Sequence, residues 1–220
     1  MPKVTRPTIV VFDLGGVLVD WDPRHLYRDL FDDPDEMESF LAEVTTTEWN
    51  AHQDAGRPWA EAVELLVGEH PERRELIEAF HRRWPEMLAG EIPGTVDVLA
   101  ELRATEVRLV ALSNWSAETF PLARERFDFL AWFEGIVISG DVGVNKPDRR
   151  IFEHLVAKFG IEPADVLFID DSPANVEAAS AFGFCATQFT DAIALRAELV
   201  RLGLLPDVRG GVNEVKVPRR

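Results

Sequence analysis

The 220-residue sequence contains a single cysteine, Cys185. An internal disulfide is therefore excluded, and the position of Cys185 in a short apolar segment, residues 184–189, reads as packing rather than chemistry. Long apolar runs are missing as well. The longest, such as residues 8–12 and 135–138, fall far below the roughly 20 residues that span a bilayer. No signal-peptide pattern opens the chain, so a soluble cytoplasmic protein is the expectation. Basic residues are few: 23 lysines and arginines face 39 acidic residues, for a formal net charge of −16. With no long basic stripe, the chain offers little to a nucleic-acid backbone, and neither nucleic acid nor membrane is expected as a partner. An anionic small molecule stays admissible where a metal and a few cations reverse the local sign. Internal repeats and low-complexity tracts are also absent.

What is present is an alternation. Residues 8–14 read as a buried strand ending in Asp13, followed by Gly15-Gly16, where the backbone can turn tightly or approach a ligand. From about Pro23 to Leu88 the pattern is helical, with start signals at Asp33-Pro34 and His70-Pro71 and no convincing strand. After Pro93-Gly94 a helix over 95–104 leads to strands at 108–112, 135–138, 166–169 and 184–189, each separated from the one before by a helical segment. Such alternation predicts an α/β fold, a Rossmann-like parallel sheet with helices on both faces, whose ligands bind beyond the carboxyl ends of the strands. The expected division is a core of residues 1–20 and 92–220 with an inserted α-helical cap, 21–91. The tail from Pro206, with Gly210-Gly211 and a basic end, looks frayed.

Four polar groups fall where those strand ends converge: Asp13, Ser113 with Asn114, Lys146, and Asp170 with Asp171. Singly, each has an ordinary reading as a turn, a cap, loop punctuation or a solvated cation. Together they describe a reaction. Carboxylates gathered at the mouth of a buried sheet repel one another unless a cation sits between them, and a hard oxygen-seeking ion, Mg2+ best, is the natural occupant. A carboxylate nucleophile, a metal, a lysine and a hydroxyl are what phosphoryl transfer needs, because its transition state spreads negative charge over oxygens that must be held. The helix start at residues 172–175 can add main-chain N–H groups to the anion.

Phe12-Asp13-Leu14-Gly15-Gly16-Val17-Leu18 resembles the first motif of the haloacid dehalogenase-like superfamily. Leu112-Ser113-Asn114 resembles its second, Asn145-Lys146-Pro147 its third, and Phe168-Ile169-Asp170-Asp171-Ser172 with Asn175 its fourth. The resemblance covers about residues 8–205 and matches the family's cap to the helical insertion. It implies a hydrolase in which Asp13 is nucleophile and metal ligand and the Gly15 carbonyl also binds Mg2+. Ser113 with Asn114 would hold the phosphoryl group of a small phosphorylated metabolite, and Gly16 would approach it. Lys146 would offset charge, and Asp171, with Asp170 directly or through water, would complete the metal site. A monomer or homodimer is expected.

One position departs from the pattern. Most phosphatases of the family carry a second Asp two residues after the nucleophile, as general acid and then base, and here that residue is Gly15. Asp20 and Asp22 are nearby substitutes, although a loop or capping role suits both. The same glycine admits a 2-haloacid dehalogenase that attacks carbon without metal, against which the acidic Asp170-Asp171 pair argues. A metabolite-binding protein that lost turnover is a third reading. Substrate choice is expected in the insertion, where Trp49, His52, Asp54, Arg57 and Trp59 gather around Gly56. Arg57 or His52 would touch substrate, and a tryptophan would stack on a ring. The run His81, Arg82, Arg83, Trp84 reads as a solvated helix end near a hinge at Pro93-Gly94.

Overall fold

The computed structural model describes residues 6–207. Most of the tail expected to fray, including Gly210-Gly211, lies outside the described residues. The strands are β1 (Ile9–Phe12), β2 (Val19–Trp21), β3 (Leu88–Glu91), β4 (Arg108–Ser113), β5 (Gly135–Ile138), β6 (Val166–Asp170) and β7 (Cys185–Gln188). Five of them form one sheet in the order β5-β4-β1-β6-β7. Every pairing in it is parallel, as the strand and helix alternation requires.

All four residues of β1 are buried. Alternate side chains point to opposite faces: Val10 and Phe12 join one apolar cluster, while Ile9 and Val11 join a second with Leu112, Phe152 and Phe168. This is why β1 reads as an unbroken apolar run. It sits between β4 and β6, and the chain moves outward to one side through β4 and β5, then to the other through β6 and β7. The switch point lies at the carboxyl end of β1.

The helices between β2 and β3 are α1 (Arg24–Tyr27), α2 (Pro34–Glu43), α3 (Thr47–Asp54), α4 (Trp59–Glu69) and α5 (Arg74–Arg82). Their starts follow from capping chemistry. Asp33 accepts the Asp35 N–H ahead of Pro34, and Thr46 accepts the Trp49 N–H, so main-chain donors that helices leave unpaired are satisfied. Tyr27, Phe40, Trp59 and Phe80 from these helices belong to the same apolar cluster as Phe12 and Leu14, so the core of the helical block is continuous with that of the sheet. Beyond it come α6 (Thr95–Arg103), α7 (Phe120–Arg126), α8 (Ser139–Val142), α9 (Arg149–Phe159), α10 (Pro173–Phe182) and α11 (Ala192–Arg201).

The sequence reading missed one element. β2 and β3 form an antiparallel two-stranded ribbon at the base of the helical block. With three and four residues, the two strands are too short for an alternating pattern to show.

Candidate active site

The register places Phe12 beside Ala111 of β4 and Ile169 of β6. Just beyond, the chain ends of three strands bring together Asp13 and Asp170, each one residue further on, and Ser113, two residues past Ala111. Asp13 is buried, and its N–H donates to the Ile169 carbonyl at 2.8 Å. Its Oδ1 accepts the Leu14 N–H at 2.7 Å, its Oδ2 lies 2.9 Å from Lys146 Nζ, and the Ser113 hydroxyl also bonds the carboxylate.

Lys146 organises the cluster. Its side chain is fully enclosed, and Nζ donates to Asp170 Oδ2 at 2.7 Å and to the Leu112 carbonyl at 2.9 Å. Burial works against its charge, but Asp13 and Asp170 outweigh burial and raise the ammonium pKa. Asp13 feels opposing influences. Burial, reinforced by Asp170, outweighs the pull of Lys146 and pushes its carboxyl up to about 7. Buried charge of this kind persists only when matched, and one ammonium between two carboxylates leaves a net negative site.

Asp170 has no exposed surface. Its Oδ1 accepts from the Ser172 N–H and from Asn175 Nδ2, both at 2.9 Å, while Oδ2 faces Lys146. Asp171 by contrast is exposed, and burial of part of its carboxyl, with Asp170 beside it, raises its pKa. Oxygens of Asp13, Asp170 and Asp171 lie within 4.8 Å of one another. Three hard carboxylate donors facing one lysine suit a divalent cation such as Mg2+. Because Asp170 is already held by protein donors, Asp13 and Asp171 are the better placed for direct ligation.

The structure reassigns two of the expected contacts. Gly16 was expected to approach substrate, but its N–H donates to the Val19 carbonyl at 3.0 Å. Its φ is +73°, and a Cβ there would stand 2.6 Å from Asp171 Oδ2. Gly16 thus admits the Asp171 carboxylate. Asn114 holds the Lys146 main chain from both ends of its amide, accepting the Lys146 N–H at 2.8 Å and donating to the Lys146 carbonyl at 3.0 Å. One N–H and one lone pair of that amide remain for other partners.

His52 and Arg57 are not brought to this cluster. His52 is exposed. The Arg57 guanidinium donates to Gln53 Oε1 at 2.7 Å and to the Trp49 carbonyl at 3.3 Å, within its own helical neighbourhood. Asp20 pairs with His25, and Asp22 caps α1 by accepting the Arg24 N–H at 2.8 Å, so both serve the loop. The expected solvated end at residues 81–84 is only half so. Arg82 is exposed and Arg83 pairs with Glu86, but His81 stacks on Trp59 and Trp84 is buried against Trp115.

Trp84 lines a small cavity that the sequence reading did not foresee, with Gly15, Trp21, Asn50, Asp54, Asn114 and Trp115. The one available signal was the spacing of Asn50 and Asp54, which puts both on the same face of α3. A larger cavity, about 390 Å3, adjoins it through Trp21 and Asn50 and is lined further by Thr45, Thr46, Leu41 and Phe80. The indole N–H of Trp21 and the Asn50 Oδ1 are buried there without a protein partner, as groups that await a polar ligand would be.

Comparison with known proteins agrees with this geometry. A sesquiterpene phosphatase from Aspergillus oryzae is 27% identical over 192 residues, 87% of this chain and 94% of that protein. A phosphorylated carbohydrates phosphatase from Thermotoga maritima is 28% identical over 185 residues, 79% of this chain and 81% of that one. Among solved structures, a HAD family enzyme from Bacteroides thetaiotaomicron in complex with magnesium and inorganic phosphate superposes with a TM-score of 0.67 at 21% identity, covering 84% of this chain and 95% of the other. The L-2-haloacid dehalogenase from Xanthobacter autotrophicus shares the fold with a TM-score of 0.60 at 21% identity, over 91% and 85% of the two chains. No helix among the described residues is long and apolar enough to cross a membrane. The model of the haloacid dehalogenase-like hydrolases matches residues 7–183, and the chain belongs to that family.

Proposed function

We propose that this protein is a Mg2+-dependent phosphatase of small phosphorylated metabolites, working through a covalent aspartyl-phosphate on Asp13. The observation that carries this reading is the buried Lys146 bridging Asp13 and Asp170, at 2.9 and 2.7 Å, with Asp171 completing a group of three carboxylates. Relatives over most of the chain are named phosphatases, one of them of phosphorylated carbohydrates.

Asp13 and Asp171, with the Gly15 carbonyl, would hold the metal, which supplies positive charge against the carboxylates and the phosphoryl oxygens. The chain's own residues do the rest. Lys146 keeps the Asp13 carboxylate oriented and balances charge on the transferring group. Ser113, already bonded to Asp13, is placed to donate to a phosphoryl oxygen, and Asn114 fixes Lys146 through its main chain. The helical block between β2 and β3 acts as the cap, and the cavity bounded by Trp21, Thr45 and Asn50 gives room for the alcohol part of the substrate.

A dehalogenase would have to draw a substrate carboxylate toward Asp13, Asp170 and Asp171, three acidic groups against a single lysine. Free phosphate released from p-nitrophenyl phosphate with Mg2+, and chloride from 2-chloropropionate without it, distinguish the two. The expected result is phosphate only, abolished by Asp13→Asn and reversibly by chelation. Chloride release, or full activity of the variant, would overturn the proposal.

A further inference from the structure

The family's second aspartate is replaced by Gly15, yet the space that a side chain there would enter is open. A Cβ on Gly15 meets no atom within 4 Å. Gly15 lines a cavity of about 60 Å3 whose other walls are Asn114, three tryptophans, and Asn50 with Asp54 from α3. Asp54 is the only ionisable side chain on those walls.

Its environment suits proton transfer. Asp54 Oδ2 accepts from Asn50 Nδ2 at 2.9 Å, and the main chain of Ser116 supplies another bond. No lysine or arginine among the described residues pairs with it, and burial pushes its carboxyl up to about 7. Its backbone is fastened to the sheet side. The Asp54 carbonyl accepts from the Ser139 hydroxyl, which itself accepts the Trp115 N–H at 2.9 Å. One turn earlier, the Ala51 carbonyl accepts from Asn145 Nδ2, the residue before Lys146, at 2.6 Å. The carboxyl is therefore presented from the helical block to the side of the site that Gly15 leaves vacant.

We propose that Asp54 is the general acid and base of the reaction, taking the part of the side chain that position 15 lacks. The inference rests on the phosphatase reading above. In the first step an Asp13 oxygen forms a bond to phosphorus, the bond from phosphorus to the alcohol oxygen breaks, and the Asp54 carboxyl gives its proton to that oxygen. In the second, the Asp54 carboxylate takes a proton from water as the water oxygen bonds to phosphorus. The bond between phosphorus and Asp13 breaks, phosphate leaves, and both carboxyl groups return to their starting states.

The test compares wild type with Asp54→Asn, in Mg2+, on p-nitrophenyl phosphate and on phenyl phosphate, whose leaving group needs a proton far more. In the variant, p-nitrophenyl phosphate is expected to give a burst of about one p-nitrophenolate per enzyme. Turnover then falls roughly 10²–10⁴-fold, the usual loss for a missing acid or base. With phenyl phosphate the burst phase itself slows. A purely structural role would lower both substrates alike with no burst, and that result, or wild-type kinetics in the variant, would overturn the assignment. Asp54→Ser supplies the same readout should the amide misfold, and Gly15→Asp placed in Asp54→Asn is expected to restore phenyl phosphate turnover. Wild type inactive on both esters would remove the phosphatase reading, and this inference with it.

Discussion

Replacing Asp54 by asparagine should stabilise the protein, by an amount that grows with pH. Burial raises the carboxyl from 3.8 to about 7. Below 3.8 the group is protonated both folded and unfolded and contributes nothing. Between there and about 7 the unfolded chain gives up the proton while the folded chain keeps it, so stability falls as pH rises, and above about 7 the whole cost is present. At about 1.4 kcal/mol per pH unit this amounts to ~4 kcal/mol. Asp54 keeps some surface in solvent, which trims the figure to ~2 kcal/mol. Asparagine is neutral throughout and preserves an oxygen for Asn50. Thermal melts of both proteins in metal-free buffer between pH 4 and 8 isolate the residue, since every other titrating group is common to both. The melting temperatures should nearly coincide at pH 4 and differ by roughly 4–8 °C in favour of the variant at pH 8. A gap that ignores pH, or a variant less stable at pH 8, would show that the carboxylate is not held at the expense of stability and would refute the reasoning.

Other residues of the site make different predictions. Lys146→Ala leaves Asp13 and Asp170 facing each other without a counter-charge, and urea denaturation should register a loss of about 3–5 kcal/mol along with the loss of turnover. Gly16→Ala forces a Cβ to within 2.6 Å of Asp171 Oδ2 at a φ of +73°. Backbone strain of about 1–2 kcal/mol should appear in melts, and calorimetric Mg2+ titration should show weakened binding because Asp171 must move. Asn145→Ala removes the bond to the Ala51 carbonyl, and amide exchange in α3 should quicken by about fivefold, the equivalent of one hydrogen bond of ~1 kcal/mol.

The sheet was legible because each of its strands combines a short apolar run with a polar or glycine boundary. β5 was read with its observed ends, and β1 proved shorter than its apolar run because pairing stops at Phe12. The central cluster was legible for a topological reason. Parallel strands deliver all their carboxyl ends to one edge, so Asp13, Ser113 and Asp170 had to meet once the sheet was accepted. Side-chain assignments within the insertion were less legible. Arg57 and His52 were attractive by chemistry, but Arg57, in the turn after α3, reaches back to Gln53, and the phase of α3 leaves His52 in solvent. Trp84 read as the end of a solvated run because two arginines precede it, whereas a partner 31 positions away in sequence, Trp115, buries it. Asp54 stood in the sequence as one of five residues around Gly56, and only its helical spacing from Asn50 set it apart. Besides Asn50 on the same helix, its surroundings are made by Ser116, Ser139 and Trp115, all from outside the helical block.

Two adjacent glycines end β1 for opposite reasons. Gly16 cannot carry a side chain because Asp171 occupies the space, while Gly15 could carry one and does not. Packing therefore does not explain the missing acid. With Asp54 in that role the chemistry is divided: nucleophile, lysine and carboxylates belong to the sheet, and the proton donor belongs to the helical block. The bonds from Asn145 to Ala51 and from Ser139 to Asp54 decide whether the two parts meet. A molecule whose helical block has swung away retains Asp13 and Lys146 intact, yet it lacks both the proton for the departing alcohol and the base for the attacking water. An acid fixed at position 15 would work in either arrangement. Placing it on α3 makes hydrolysis conditional on the block being seated, when bulk water is also least able to enter.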